Sequence, residues 1–287
     1  MDIGIGLPNT IPGTPGSVLL DWARRAEQRG FSTLATIDRV AFPSYESLVT
    51  LGAAGAVTER IGLMTNILLA PTRNPILLAK EAASVDQLSG GRLTLGLGVG
   101  SRRDDFVASA QRFKDRGKRF DQDLELMHGA WRGESVDGCP EPPSPRPVRG
   151  DRIPILIGGT SDQAVERTVR WGAGWTAGGS AADMVGPFAE RVRDAWKEAG
   201  REGAPKIVAL AYFSLGKGTE EASRAYLGHY YQHLGEWVER IVEGASRGEQ
   251  SVGDVVERFQ DAGVDELMLD PTVADPVQVD LLADTVL

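Results

Sequence analysis

Short apolar segments alternate with longer amphipathic segments from one end of this 287-residue chain to the other. The apolar segments have the length of buried β-strands, and the segments between them have the pattern of amphipathic helices. Strands that alternate with helices in this way pair in parallel, because each helix returns the chain to the same edge of the sheet. The predicted strands are residues 3–7, 33–37, 61–69, 93–97, 153–157, 175–177, 206–215 and 265–269.

Eight strand–helix units predict an α/β fold, a single (β/α)8 TIM barrel, with residues 1–287 forming one domain. An open doubly wound sheet is the alternative, because alternation alone does not show whether the sheet closes. Two segments, 100–151 and 219–263, are too long for simple loops, so we expect insertions at the C-terminal face. The predicted helices are residues 18–28, 45–58, 75–89, 104–131, 162–171, 182–199 and 275–286, with a long helical region that reaches residue 262.

Charge and composition exclude several classes of partner. A formal charge of −9 argues against nonspecific binding to nucleic acid or to an anionic membrane. The N-terminus lacks the features of a signal peptide and no apolar run is long enough to span a bilayer, so we expect a cytoplasmic protein. Cys139 is the only cysteine, which excludes an internal disulfide and a cysteine-rich metal site.

Five sequence motifs occur in an order typical of one enzyme family. Residues 60–75 (RIGLMTNILLAPTRNP) run into residues 86–100 (DQLSGGRLTLGLGVG). Residues 153–159 (IPILIGG), 172–175 (GAGW) and 262–267 (AGVDEL) follow. Together they resemble the bacterial luciferase-like family over nearly the whole chain, with the second motif the most specific.

The resemblance implies a barrel that holds reduced FMN, or the 5-deazaflavin coenzyme F-420, at its C-terminal mouth. Family reactions are hydride transfer or oxygen insertion on a small organic substrate. We therefore predict an FMN-dependent monooxygenase or oxidoreductase, with electrons supplied by a separate flavin reductase or by NAD(P)H. The alternatives are an F-420-dependent hydride-transfer enzyme and a non-catalytic flavin-binding protein. The sequence does not identify the substrate.

A phosphate-binding turn is predicted at Gly158-Gly159-Thr160-Ser161, between the fifth strand and the next helix. Glycines let the backbone approach a phosphate closely, and free N–H groups at a helix start favour negative charge. Thr160 or Ser161 can also cap the helix. An ordinary strand-to-helix turn is the alternative, and the family resemblance favours the phosphate. The other predicted cofactor contacts are Asp38, Asn66, Ile67 and Gly98, with Trp175, Gly178 and Gly179 in the neighbouring wall.

The ends of strands two and three carry further candidates. Asn66-Ile67 lies where the family has a bulge, often with a cis peptide, against the central flavin ring; a regular strand is the alternative. Asp38-Arg39 lies where many relatives, especially deazaflavin enzymes, have a histidine, and its absence favours FMN. Arg39 stays protonated, so it is predicted to hold a substrate carboxylate or a reduced, anionic flavin. A surface ion pair with Asp38 or Glu46 is the alternative.

Substrate contacts are predicted at the ends of strands four and seven and in the second long segment. Arg102 and Arg103 can meet an anion, or can instead pair with the neighbouring Asp104 and Asp105. His229 and His233 are four residues apart, yet no companion ligand suggests a metal. We interpret their segment as an aromatic helix over the mouth, so the catalytic candidates are Asn66, Arg39 and His229. Tyr212 and Tyr230 complete the predicted substrate contacts.

A homodimer is predicted from two helices that are rich in small residues. The segments 47–59 and 76–88 carry Gly52, Ala53, Ala56, Ala79 and Ala83, among others. Small residues let helices approach closely, and the resemblance implies dimerisation through this region. The alternative is that these residues only pack against the barrel of their own subunit.

Overall fold

Eight parallel strands form a closed barrel in the computed structural model, which describes residues 1–287. The first strand pairs with the second and the last, and the sixth pairs with the seventh, so the sheet closes and an open sheet is excluded. A two-residue strand, β8, adds to the end of β7 and was not predicted. The strands are β1 Asp2–Gly6, β2 Thr33–Thr36, β3 Gly62–Leu69, β4 Leu93–Gly98, β5 Ile155–Gly158, β6 Gly174–Thr176, β7 Lys206–Ser214, β8 Ser246–Arg247 and β9 Glu266–Pro271.

Eleven helices surround the barrel, and their ends follow local sequence signals. Asn74 caps α3 by accepting hydrogen bonds from the Ile76 and Leu77 amides, and Pro75 occupies the first helical position. Gly30 ends α1 in the left-handed conformation. The helices are α1 Gly16–Arg29, α2 Ser47–Ala56, α3 Pro75–Leu88, α4 Arg103–Ala108, α5 Arg116–Arg132, α6 Asp162–Trp171, α7 Ala182–Glu198, α8 Glu220–Tyr230, α9 Val238–Gly244, α10 Glu249–Asp261 and α11 Val277–Val286.

The two long segments differ in detail from the prediction. The single helix expected over 104–131 is two helices, because Ala110 and Asp115 adopt positive φ between α4 and α5. Only α4 and its flanking loops reach the mouth, since α5 returns along the outside of the barrel and packs on α3. Trp131 of α5 is fully buried there and donates to the Ala79 carbonyl at 2.9 Å. The long helical region is likewise divided into α8, a 3-10 turn at Gln232–Trp237, α9, β8 and α10.

Side chains that alternate along each strand build two cores. One apolar cluster fills the space between the strands and the outer helices. The other lies inside the barrel and includes Ala35, Met64, Val208 and Met268. Gly4 on β1 leaves room for Met268, because a β-carbon there would overlap its thioether. The barrel is therefore filled at the centre, and open space for a ligand lies above this layer, at the carboxyl ends of the strands.

None of the helices combines the length and the apolar composition that a bilayer crossing requires.

Candidate active site

A cavity of about 330 Å³ lies at the barrel mouth, where the sequence placed the site. Its walls come from the ends of the strands and from the segments that follow them. It brings together most of the predicted residues: Asp38, Arg39, Asn66, Ile67, Gly98, Arg102, Gly158, Gly159, Gly178, Gly179, Tyr212 and Tyr230. Thr160, Ser161, Trp175, Arg103 and His229 do not line it.

The floor of the cavity is the Ile67 side chain, at an irregularity in β3. The register of β3 against β4 shifts between Thr65 and Leu68, and the Asn66–Ile67 peptide bond is cis, as the family resemblance implied. Ile67 lies against glycines of the two next strands. A β-carbon on Gly98 would overlap Ile67 Cδ1, and one on Gly158 would lie 3.0 Å from the same atom. Glycine at these positions therefore lets a branched side chain cover the floor.

Asn66 presents an unused donor to the same cavity. Its side chain is 3% exposed, and its Oδ1 accepts a hydrogen bond from Thr176 Oγ1 at 2.7 Å. Its Nδ2 is buried and has no partner in the protein. A buried donor without an acceptor costs about 1–3 kcal/mol. A ligand acceptor at this point would remove that cost.

The predicted phosphate turn leads into α6 with free backbone donors. Gly159 adopts a φ of 112°, and Ser161 caps α6 by accepting from the Ala164 amide at 3.3 Å, one of the two caps expected. The amides of residues 159–161 donate to no protein acceptor. Asp162 in the first turn is paired with Arg191 of α7, which offsets its charge. Thr160 and Ser161 lie beyond the cavity lining, so only a cofactor tail that leaves the cavity reaches them.

Trp175 does not form the neighbouring wall, which corrects the prediction for this residue. Alternation along β6 directs Thr176 inward and Trp175 outward, where it is fully buried. Its ring lies 4.7 Å from that of Phe188 on α7, and its Nε1 donates to the Gly159 carbonyl at 2.7 Å. Trp175 therefore supports the phosphate turn from behind. The wall itself is formed by Gly178 and Gly179.

Arg39 is held in an ion pair that the sequence did not indicate. Its Nε donates to both carboxylate oxygens of Asp105, at 3.0 and 2.8 Å, and its Nη2 donates to Asp104 at 2.6 Å. The Asp105 carboxylate is fully buried and also accepts from two backbone amides, at residues 40 and 41. The alternative pairing of Arg39 with Asp38 or Glu46 is wrong, because both acids bind Arg73 instead.

Arg102 and Arg103 point to different places. Arg102 donates to the Tyr230 carbonyl at 2.9 Å, and its guanidinium lies 4.5 Å from the centre of the Tyr230 ring. Arg103 stacks on Phe113 at 5.0 Å and does not line the cavity, so its prediction as a substrate contact is not supported by its position. Neither arginine pairs with the neighbouring aspartates, since these bind Arg39.

A tyrosine wall, Tyr212, Tyr230 and Tyr231, lines the cavity, and Tyr212 comes from β7, the strand opposite β3 in the eight-stranded ring. The hydroxyl groups of Tyr212 and Tyr231 are 2.7 Å apart, a hydrogen-bonding distance. Burial raises the pKa of Tyr212 and of Tyr230 well above the usual value and that of Tyr231 to about 12. All three side chains are therefore neutral at physiological pH. Tyr231 was not among the sequence candidates, although its neighbour Tyr230 was.

His229 lies outside the cavity, with its ring 4.9 Å from that of Phe42. The two histidines do not share one helical face, because α8 ends at Tyr230 and His233 belongs to the following 3-10 turn. The structure contains no group of three or more His, Cys, Asp or Glu side chains arranged to hold a metal ion. A direct catalytic role for His229 is thus not supported by its position.

Asp270 is a buried acid that the sequence analysis missed. It points into the barrel from β9, is 2% exposed, and its Oδ1 has no hydrogen-bond partner. Burial raises the pKa of its carboxyl group to about 8. Gly6 makes room for it, since a β-carbon there would overlap the carboxylate, and Tyr212 is its register partner on β7. The sequence did contain a signal for this residue, because Asp270 directly follows the apolar run of β9, where a polar side chain is expected at the barrel mouth.

Comparisons with known proteins agree with this geometry. A family model described as luciferase-like monooxygenase matches residues 1–280. An uncharacterized protein of Mycobacterium tuberculosis is 31% identical over 208 residues, which cover 62% of this chain and 71% of the relative. An F420-dependent glucose-6-phosphate dehydrogenase of Nocardia farcinica is 33% identical over 130 residues, 42% of this chain and 39% of that protein. The solved structure of monooxygenase RslO1 from Streptomyces bottropensis has a TM-score of 0.82 at 22% identity, covering 100% and 98% of the two chains, which shows a shared fold.

Proposed function

The chain belongs to the luciferase-like monooxygenase family of flavin- and deazaflavin-dependent oxidoreductases, and we propose that it binds such a cofactor in the barrel mouth to transform a small organic substrate. The observation that carries the proposal is the unpartnered Nδ2 of Asn66 beside the Ile67 floor. An apolar surface next to a single buried donor suits a flat ring system with acceptor atoms along its edge.

Each part of the cofactor has a matching part of the site. Ile67 supports one face of the ring, and Asn66 donates to an acceptor at the ring edge. The free amides of the turn at Gly159 and Ser161 receive the phosphate of the tail. When bound, the cofactor supplies the electron pair, as hydride or for the reaction with oxygen. The chain itself orients the ring, keeps water from one face and leaves the other face open toward the tyrosine wall.

Reduced FMN is the first candidate cofactor. No histidine lines the cavity, and Arg39, at the position where deazaflavin relatives have one, is neutralised by two aspartates. The family description as a monooxygenase also supports FMN, because of the two candidate cofactors only reduced FMN activates oxygen. A separate flavin reductase or NAD(P)H would then supply the electrons.

Coenzyme F-420 is the second candidate, and a specific observation favours it. The relative of Nocardia farcinica is named as an F420-dependent enzyme and is 33% identical over the matched residues. In this case the reaction is hydride transfer without oxygen. A protein that binds the cofactor without turnover is the remaining possibility, and a substrate panel with the loaded protein separates it from an enzyme.

A titration of the purified chain with FMN and with F-420, each oxidised and reduced, tests the proposal through absorbance and fluorescence. We expect one of the two to bind with a dissociation constant in the micromolar range or below. Asn66→Leu should weaken binding about tenfold, because it removes one buried hydrogen bond worth about 1–1.5 kcal/mol. The control is Asn74→Ala, which removes the α3 cap at a residue that does not line the cavity. Saturation by neither cofactor, or equal affinity in Asn66→Leu, contradicts the proposal.

We also propose that two copies of the chain associate through α2 and α3. Ala79 and Ala83 are fully buried within their own subunit, so the small residues of α3 pack on the barrel. The outer faces of the same helices expose apolar side chains: Val49 is 72% exposed and Leu77 is 55% exposed. An apolar groove between the helices includes both residues. Contact with a second copy would bury this surface.

A further inference from the structure

We propose that the hydroxyl pair of Tyr212 and Tyr231 is the substrate-oxygen site of the cavity, and that it selects uncharged substrates with a carbonyl oxygen. The inference deepens the proposed function and rests on it for the position of the cofactor.

The cavity has two opposed surfaces, which defines where a substrate lies. The Ile67 floor comes from the β3 side, and the glycines of β4 and β5 lie beneath it. Tyr212 and Tyr231 come from β7 and from the end of α8. A ring on the floor leaves the opposite face toward the tyrosines. A substrate between ring and wall therefore has the paired hydroxyl groups as its nearest hydrogen-bond donors.

Counting hydrogens shows that one donor remains free. Two phenol groups carry two O–H hydrogens, and the 2.7 Å contact between Tyr212 and Tyr231 uses one of them. Either hydroxyl can be the donor within the pair, and the one that accepts keeps its own hydrogen free. Tyr212 is 6% exposed and Tyr231 is half-buried, so we assign the free hydrogen to the more exposed Tyr231, whose hydroxyl then donates into the cavity. This chain of donors is stronger than a single hydroxyl, because each bond polarises the next.

Asp270 behind the pair keeps this wall uncharged. Its carboxyl group is buried next to Tyr212, and the titratable groups that face it are the tyrosines of β7 and of the α8 region. With a pKa of about 8, the carboxyl group is protonated at neutral pH. A neutral acid does not oppose negative charge that develops on the substrate oxygen. Asp270 is thus a positioning residue, and Tyr231 is the residue that touches the substrate.

The surrounding charges favour a neutral substrate. Both arginines that line the cavity are engaged: Arg39 with two aspartates, and Arg102 with the carbonyl and ring of Tyr230. A substrate carboxylate would have to displace one of these contacts. A carbonyl oxygen, by contrast, needs one neutral donor, which Tyr231 supplies. Its hydrogen bond stabilises charge on the oxygen when a nucleophile adds to the carbonyl carbon.

The test uses three small ring compounds of similar size: cyclohexanone, cyclohexanecarboxylate and cyclohexylamine. Binding to the protein saturated with oxidised cofactor is measured by calorimetry, and the C=O stretch of bound ¹³C-labelled cyclohexanone is measured by difference infrared spectroscopy. We expect the ketone to bind at least tenfold more tightly than either charged compound. We also expect its C=O stretch to shift to lower frequency than in an apolar solvent.

Two tyrosine variants decide whether Tyr231 is responsible. Tyr231→Phe should weaken ketone binding about fivefold to tenfold, the effect of one hydrogen bond, and should abolish the frequency shift. Tyr226→Phe is the matched control, because Tyr226 is a buried tyrosine of the neighbouring α8 that bonds Thr10 and does not line the cavity. A shift that survives in Tyr231→Phe, or tighter binding of the carboxylate, overturns the inference.

The outcomes separate this inference from the proposed function. Cofactor binding is read independently from the absorbance of FMN or F-420 before any ketone is added. A protein that binds a cofactor but shows no Tyr231-dependent shift retains the proposed function and loses the substrate-oxygen site. If neither cofactor binds, the same ketone measurements on the chain alone still test the hydroxyl pair, whose geometry comes entirely from the protein.

Discussion

Gly98→Ala offers a direct test of the cavity floor. A β-carbon at this position would lie closer to Ile67 Cδ1 than the 3.0 Å that real β-carbons keep from other heavy atoms. The clash is with the end of a flexible side chain, so the barrel can accept the change if Ile67 moves. Gly158 on the adjacent strand is close to the same side chain, since a β-carbon built on it would lie 3.0 Å from Ile67 Cδ1, so Ile67 has little room to move toward β5. Ile67 must therefore turn toward the open cavity, where the cofactor ring would lie.

The size of the effect follows from the cost of moving that side chain back when the cofactor binds. Overpacking in a close-packed region costs about 1–3 kcal/mol, and an off-rotamer side chain costs about 0.5–1.5 kcal/mol. A penalty of about 1–3 kcal/mol raises a dissociation constant roughly 5-fold to 150-fold. Gly158→Ala should have a smaller effect, because its β-carbon would meet Ile67 Cδ1 at 3.0 Å.

The assay is a cofactor titration followed by absorbance, with thermal unfolding as the check that each variant is folded. The decisive comparison combines Gly98→Ala with Ile67→Val, because Ile67→Val removes Cδ1, the atom that clashes, and keeps the branch at Cβ. The double variant Gly98→Ala/Ile67→Val should regain most of the affinity that Gly98→Ala loses. Unchanged affinity in Gly98→Ala would refute the assigned position of the ring. A double variant as weak as the single one would refute the role of Ile67.

Three further predictions concern stability and assembly. The Asp270 carboxyl group has a folded-state pKa of about 8 against about 3.9 when unfolded, so its contribution to stability is present below pH 4 and is lost as the pH rises toward 8. Urea unfolding should therefore show Asp270→Asn to be more stable than the wild type at pH 8, with the gain shrinking toward pH 4.5; a pH-independent difference would contradict this. Asp105→Ala should lower the free energy of unfolding by about 3–5 kcal/mol, because it leaves the buried Arg39 with only the half-exposed Asp104 and removes the acceptor of two backbone amides, whereas Asp194→Ala at an exposed position should change it by under about 0.5 kcal/mol. Light scattering at micromolar concentration should show a dimer that Leu77→Glu converts to monomer, and a monomeric wild type would remove the dimer proposal.

The barrel was predictable because its signals are local. Each strand is a short apolar run that ends near a turn residue, and the observed bounds differ from the prediction by a residue or two. The segment from residue 219 to 263 was harder to divide into elements, since α8, α9 and α10 all have the composition of amphipathic helices. The break after Tyr230 has no proline to mark it. β8 is two residues long and pairs with the end of β7, which extends beyond β6; this pairing depends on tertiary structure and leaves no periodic pattern in the sequence.

The site was predictable only in part, and the reason is distance along the chain. Asn66 and Ile67 were found because they lie within a recognisable motif. The partner of Arg39 is Asp105, 66 residues away, so the sequence offered only the nearer Asp38 and Glu46. Trp175 was assigned to the wrong wall because a three-residue strand gives too few alternations to fix which side faces inward. Tyr231 and Asp270 could not be identified from the sequence, because they approach Tyr212 only when β7, β9 and the end of α8 come together in the fold.

The position of β9 has a consequence for how the chain is made. Asp2 of β1 lies opposite Glu266 of β9, so the ring is closed by a contact between residues 264 positions apart. Until that last strand emerges from the ribosome, β1 and β7 both expose unpaired backbone edges, which are templates for joining another chain. Biogenesis of this protein thus has its most vulnerable moment when seven strands are complete and the eighth is still inside the exit tunnel. A shortage of chaperones or a stall late in translation should harm it more than an early pause.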